Sequence, residues 1–118
     1  REKPQRHGTI FWLERDGRVL LVRRPAKGLL GGMRALPTGP WVETPPGFAD
    51  APVEVDWQAM GAVTHGFTHF RLACAVAAAT LPTHISPPDG EWWPIDSLDT
   101  AGMPTVFVRA QRLMEGLR

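Results

Sequence analysis

Apolar residues fall into two rhythms along this chain. From Gly8 to Glu14 and from Val19 to Arg23 they come in short runs rich in β-formers. Runs of that length and composition predict strands. Between them stands Arg15-Asp16-Gly17-Arg18. Asp-Gly readily takes the positive φ that a tight hairpin needs, so two antiparallel strands should open the chain. Two further strands are expected at Trp57–Thr64 and Phe70–Leu81, connected by His65–His69. A short strand at Glu91–Ile95 and a helical turn at Asp96–Leu98 follow. The second rhythm belongs to the end of the chain. Val106, Phe107, Ala110, Leu113, Met114 and Leu117 keep the i, i+3, i+4, i+7 spacing of one apolar helix face. Pro104 stands where a first-turn proline belongs. This helix is expected to pack on the sheet and close the core.

Elsewhere the pattern is broken by proline and glycine, twelve of each. Pro25–Gly32 reads as a loop whose Gly28, Gly31 and Gly32 allow a sharp turn or a close backbone approach. Leu36–Pro46 holds four prolines and a glycine, which exclude a helix and suit an edge strand or an irregular crossing. Thr44–Asp56 is rich in proline and acids and reads as loop with at most one helical turn. Pro82–Gly90 is a second proline-rich loop. Residues 1–5 are polar, a frayed end or the tail of a linker. The expectation is one α+β domain over residues 1–118, with a mixed or antiparallel sheet of about five or six strands and a C-terminal helix. A chain of this length builds one core rather than two. It starts at Arg1 rather than Met, as a piece of a longer protein would.

Charge and cysteine narrow the possibilities. Residues 1–34 carry nine Lys/Arg and three acids, whereas residues 43–99 carry eight acids and one base, Arg71. A basic N-terminal third suits contact with a polyanion. The single cysteine, Cys74, lies in the Ala-rich run Leu72–Leu81. Alone it makes no internal disulfide, tetrahedral zinc site or iron–sulfur cluster, and it reads as core packing in an intracellular, cytoplasmic protein. That apolar run is about half the roughly 20 residues of a membrane span, so no membrane is expected. His65 and His69 have helical ligand spacing, but Gly66 and the β-rich flanks argue against a helix, and no third ligand is evident. No metal site and no catalytic set are expected.

Two segments carry a resemblance. Arg23-Arg-Pro-Ala-Lys-Gly-Leu-Leu-Gly-Gly-Met33 and Val63-Thr-His-Gly-Phe-Thr-His-Phe-Arg-Leu72 resemble the C-terminal domain of the A/G-specific adenine DNA glycosylases, the MutY family. The first is similar to the start of that Nudix-like domain, the second to its Phe-Ser/Thr-His recognition loop. Trp92-Trp93 and Met103-Pro104-Thr105 fall where the family has an aromatic pair and a proline-led last helix. The resemblance departs at Arg34, where relatives carry an aromatic, and at Thr68, where Ser is commoner.

The resemblance implies a Nudix-like fold and a function in base excision repair of adenine mispaired with 8-oxoguanine. Catalysis and an iron–sulfur cluster would belong to an N-terminal glycosylase domain outside this chain. This chain, a monomer and nucleoid-associated, would bind duplex DNA containing 8-oxoguanine without cleaving it. Guanine N7 is an acceptor, but in 8-oxoguanine it carries hydrogen, so a reader must present an acceptor there. Thr68, by hydroxyl or backbone, is the first candidate. Phe67 is a candidate wedge into the base stack, and His69 would fix the loop or touch a phosphate. Arg23, Arg24, Lys27, Arg34 and Arg71 are the candidates for phosphate contact.

Two alternatives stand beside this reading. A divergent Nudix hydrolase acting on oxidised nucleotides needs carboxylates converging on magnesium from one helix. The pattern is Gly, five residues, Glu, seven residues, then Arg-Glu-apolar-x-Glu-Glu. Here Arg1-Glu2 is the only Arg-Glu pair, and Glu43, Asp50, Glu54 and Asp56 lack helical spacing. A protein-interaction module docking a clamp or repair partner through the 82–90 loop is the other.

Overall fold

The computed structural model describes residues 3–117. Of the end expected to be frayed over residues 1–5, Arg1 and Glu2 lie outside them, whereas Lys3 and Pro4 are hydrogen-bonded to Phe67 and Arg71 and Gln5 already belongs to the sheet. The chain forms β1 (Gln5–Arg15), β2 (Arg18–Arg23), β3 (Arg34–Ala35), β4 (Gln58–Gly66), β5 (Arg71–Thr80), β6 (Glu91–Pro94), a 3-10 helix (Ile95–Ala101) and α1 (Thr105–Gly116). The architecture is α+β with one mixed sheet, as the sequence predicts.

The opening hairpin turns on Asp16 and Gly17, with φ of 53° and 73°, the positive values anticipated for Asp-Gly. β1 and β2 pair only beside this turn, at Glu14–Val19 and Arg15–Arg18. Beyond it the chain from Arg34 to Val42 spans them both. It pairs with β2 at Val22 and Arg23 and bridges β1 at Ile10 and His7. On its other edge β1 runs parallel to β5 from Gln5 to Glu14, and β4 pairs antiparallel outside β5. β6 lies antiparallel to β2.

Several boundaries move for reasons no local pattern carries. β1 begins at Gln5, not Gly8, because Gln5 and Arg6 pair with Arg71 and Leu72 far along the chain. β4 runs through His65 and Gly66, which pair with Leu72 and Arg71, so the connection shrinks to Phe67–Phe70. β3 is too short for any periodicity to reveal. The segment 44–56 contains no helical turn; its residues form turns and bends. The turn expected at Asp96–Leu98 is a 3-10 helix spanning Ile95–Ala101, ended by Gly102 at φ 73°. Pro104 caps α1 rather than entering its first turn. Leu117 follows the helix end and is 54% exposed, so it leaves the apolar face assigned to it.

Strand alternation divides the core between the two faces of the sheet. Ile10, Trp12, Val19, Leu21, Leu72 and Cys74 share one cluster with Phe107, Ala110 and Met114 of α1. Phe11, Leu13, Leu20 and Ala77 face the other way, under Trp57 and Leu81. Cys74 is buried, as expected, and burial pushes its thiol up to about 12. No helix among the described residues is long and apolar enough to cross a membrane.

Candidate nucleic-acid interface

The β4–β5 connection is a four-residue turn closed by the Phe67 N–H donating to the Phe70 carbonyl at 2.8 Å. Thr68 and His69 occupy its exposed tip, while Phe67 and Phe70 fold back and are half-buried. The Phe67 ring stacks on Phe70 at 4.8 Å and on Trp41 at 5.7 Å, and meets the His65 ring edge-on at 4.6 Å. Four rings therefore form a base for the tip. Such ring pairs add about 0.5–1.5 kcal/mol each beyond burial, so the tip rests on a stiff foundation.

Trp41 is itself fixed from the sheet. Its indole N–H donates to the Thr38 hydroxyl at 3.1 Å, which donates to the Thr9 carbonyl at 2.7 Å. Beneath the indole lies Gly8, where any Cβ would run into the ring. The Arg24 guanidinium lies over the same indole, 4.8 Å from the ring centre, within cation–π range. Burial lowers the Arg24 pKa, though an arginine still keeps its charge. Its Nε has no hydrogen-bond partner among the described residues. Beside this platform opens a groove of about 500 Å³ lined by Arg6, Arg24, Pro25, Leu29, Trp41 and Phe70, among others, with no acidic side chain in its wall. Guanidinium groups in such a groove offer a phosphate something to bond.

Another constellation flanks the turn. Arg109, from α1, donates through Nη1 to the Thr64 carbonyl at 2.6 Å and to His65 Nδ1 at 3.0 Å. His65 must then carry its proton elsewhere than on Nδ1. Burial, and after it the charge of Arg109, lowers the His65 pKa. Lys3 donates from Nζ to the Phe67 carbonyl at 2.9 Å.

The fold thus gathers Phe67, Thr68 and His69 on one turn, with Arg24 beside Trp41 and the exposed Arg71 at the first residue of β5. Arg23 and Arg34 stand apart from it. They pair across β2 and β3 and share Glu91, at 3.8 and 3.1 Å. Arg23 also donates to the Gly32 carbonyl at 3.0 Å, and Arg34 lies over Trp93 at 4.7 Å. Lys27 is exposed in the loop between β2 and β3. The charge asymmetry of the sequence is therefore partly cancelled in space. Arg15 illustrates this, spending its guanidinium on the carbonyls of Leu81, Pro82 and Ile85.

Sequence reasoning missed Trp41, Phe70, Arg6 and Arg109. The extra aromatic two residues after Thr68 was a usable sign for Phe70. Nothing local marks Arg109, which reaches the turn only because α1 packs against β4. Among the described residues no three or more His, Cys, Asp or Glu side chains gather closely enough to hold a metal ion.

A family model described as NUDIX domain matches residues 9–112. No curated protein matches. Among solved structures, the C-terminal domain of mouse MUTYH, crystallised in complex with human PCNA, is 22% identical with a TM-score of 0.77, covering 100% of this chain and 90% of that one. A MutT protein from Methanosarcina mazei Go1 is 16% identical at a TM-score of 0.78, covering 100% and 99%. A MutT NUDIX hydrolase from Burkholderia pseudomallei is 18% identical at 0.69, covering 97% and 98%. Likeness at these identities speaks for the fold.

Proposed function

This chain belongs to the NUDIX domain family, and from that premise we propose that it reads DNA rather than hydrolysing nucleotides, as the 8-oxoguanine-recognition domain of an A/G-specific adenine glycosylase. The observation that carries this reading is the turn Phe67–Phe70. It presents a hydroxyl and an imidazole at an exposed tip, over a fixed aromatic base and beside a groove lined by Arg24 and by Arg6, the latter 4.0 Å from Glu43. A reading head needs that combination. Polar groups must be exposed to meet a base edge, and they must be held still to discriminate between two bases differing at two atoms.

The roles divide accordingly. Thr68 offers acceptors, its hydroxyl and its carbonyl, to the N7 hydrogen of the oxidised base. Phe67 anchors the tip through its ring contacts, and its half-exposed edge meets the stack beside the lesion. His69 and Arg71, both exposed, are the candidates for backbone phosphates next to the tip. Arg23 and Arg34, held by Glu91, contribute less than Arg24. Adenine removal would belong to a glycosylase domain outside this chain, which would also hold the iron–sulfur cluster.

The hydrolase alternative finds less support. Glu43, Asp50, Glu54 and Asp56 lie on non-helical chain, so they do not line up as magnesium ligands on one helix face. A partner protein is the second reading worth keeping. The similar mouse domain was solved in complex with PCNA, and the 82–90 loop is mostly exposed here.

Binding to duplexes containing 8-oxoguanine:A or G:A, at one fixed low salt concentration, tests the proposal. Wild type should prefer the lesion duplex, and Thr68→Ala should lose the preference while keeping binding. Phe67→Ala should weaken both affinity and preference. Equal wild-type affinity for the two duplexes would sink lesion reading by this domain alone. Binding of a sliding clamp that ignores both substitutions would favour the partner reading.

A further inference from the structure

Beside the turn, residues of β1, β4, β5 and α1 line an open pocket of about 310 Å³. Its wall includes Gln5, Thr64, His65, Arg71 and Arg109 and no acidic side chain. Arg71 and Arg109 reach it from different elements, one at the start of β5 and one on α1. Both are exposed. Arg71 makes no side-chain hydrogen bond or ion pair among the described residues. Arg109 commits Nη1 to Thr64 and His65, which fixes its guanidinium plane and leaves its remaining N–H groups without a partner among the described residues. A fixed guanidinium is the more useful kind, since less side-chain freedom is lost when it bonds an anion. Two cations that line one pocket with no carboxylate in its wall leave room for an oxyanion.

We propose that this pocket is a phosphate seat, with Arg109 as the fixed jaw and Arg71 as the mobile one, and that it takes a backbone phosphate of the duplex read by the adjoining turn. The phosphate part stands on the pocket; the duplex part rests on the function proposed above. The geometry favours the duplex because Gly66 and Arg71, which pair with each other, join the pocket directly to Phe67–Phe70. A strand passing Thr68 would meet the pocket next. Guanidinium groups suit this task, since they bond phosphate oxygens bidentately. His65 sits in the same wall as an internal reporter. Its pKa is held down by burial and by Arg109, so an anion that offsets Arg109 must raise it.

The test uses the whole chain, with Arg71→Gln and Arg109→Lys, the latter keeping a positive donor for the Thr64 carbonyl. The first arm follows the His65 ring by NMR across pH, in inorganic phosphate and in chloride at equal ionic strength. Phosphate should raise the His65 midpoint in wild type and leave it unmoved in Arg71→Gln. The second arm measures duplex binding against salt. Removing one cation that neutralises a phosphate should lower the slope of log K against log salt by about one, equally for lesion and undamaged duplexes. Arg71→Gln should show that change, and Arg109→Lys a smaller fall in affinity. Duplex binding with an unchanged slope in Arg71→Gln, and no phosphate effect on His65, would overturn the seat and leave lesion reading intact. A phosphate effect without duplex binding would instead overturn the duplex as its source, along with the reading it rests on.

Discussion

The two faces of the sheet are closed in different ways. One lies under α1, whose Phe107, Ala110 and Met114 meet Ile10, Trp12 and Leu72 in a regular helix-on-sheet layer. The other lies under chain with no regular structure, where Trp57 covers Phe11 and Leu13 with help from Val53, Val55 and Ile85. Trp57 is the largest of these side chains. It meets Phe11 edge-on at 5.0 Å and ties its own loop back by an indole hydrogen bond to the Val53 carbonyl at 2.9 Å. A sheet face demands apolar side chains, not a helix, because the hydrophobic effect is non-directional. What a helix adds is internal satisfaction of its backbone groups. The loop meets that need piecemeal, as where the Thr9 hydroxyl donates to the Gly47 carbonyl at 2.6 Å.

This difference should separate the two faces under mutation. Phe107→Ala and Trp57→Ala each remove a large buried ring, and losses of about 3–5 kcal/mol are usual for such changes. Phe107 is fully buried in the cluster that joins α1 to β1, β2 and β5, so Phe107→Ala should lower the denaturation midpoint and open the chain as a whole. Trp57→Ala should speed amide exchange over residues 48–57 well beyond its effect on β1 and β5. Hydrogen exchange with urea denaturation reads both. Equal exchange gains everywhere in the Trp57 variant would mean that the loop and the helical layer form one cooperative unit.

A smaller effect is expected where the helical face meets the Phe67–Phe70 turn. Gly8 lies under Trp41, and a methyl group there must displace the indole or bend β1. Overpacking of this kind costs about 1–3 kcal/mol. Because Trp41 carries Phe67 and Phe70, Gly8→Ala should reduce duplex affinity by more than its stability loss explains at saturating folded protein. A variant that binds as wild type would show that the turn does not depend on the Trp41 base.

The same particulars show what is legible in the chain. The Asp16-Gly17 turn and the apolar stripe of α1 are local facts, and both can be read. Motif places the turn at Phe67–Phe70 correctly between β4 and β5, but too early by two residues at its start. His65 and Gly66 reveal themselves as strand only through pairing with Leu72 and Arg71. The site residues divide along the same line. Thr68 and His69 are neighbours in sequence and come to notice together. Trp41, Arg6 and Arg109 come to the turn from about 26, 61 and 42 residues away from Phe67 in sequence, and only tertiary packing brings them there. Charge misleads most, since counting Arg15, Arg23 and Arg34 as available overlooks the carbonyls and the one carboxylate, Glu91, that occupy them.

Cys74 gives the gentlest probe of the two faces. It lies in the helical-face cluster, and burial holds its thiol near 12, against an opposing hydrogen bond from the Gly8 backbone. The unfolded chain ionises this thiol at about 9. A folded pKa raised in this way leaves stability intact below pH 9 and removes it as pH climbs toward 12. The loss should approach about 1.4 kcal/mol per pH unit within that window. Melting wild type beside Cys74→Ala across pH 8–11 isolates it from the lysines, and a parallel decline in both would place the loss elsewhere. At pH 8, a thiol reagent should label native protein only as fast as the helical face opens. Trp57→Ala should therefore label scarcely faster than wild type, and Phe107→Ala much faster. Equal labelling of the two variants would erase the distinction between a face closed by a helix and one closed by a loop.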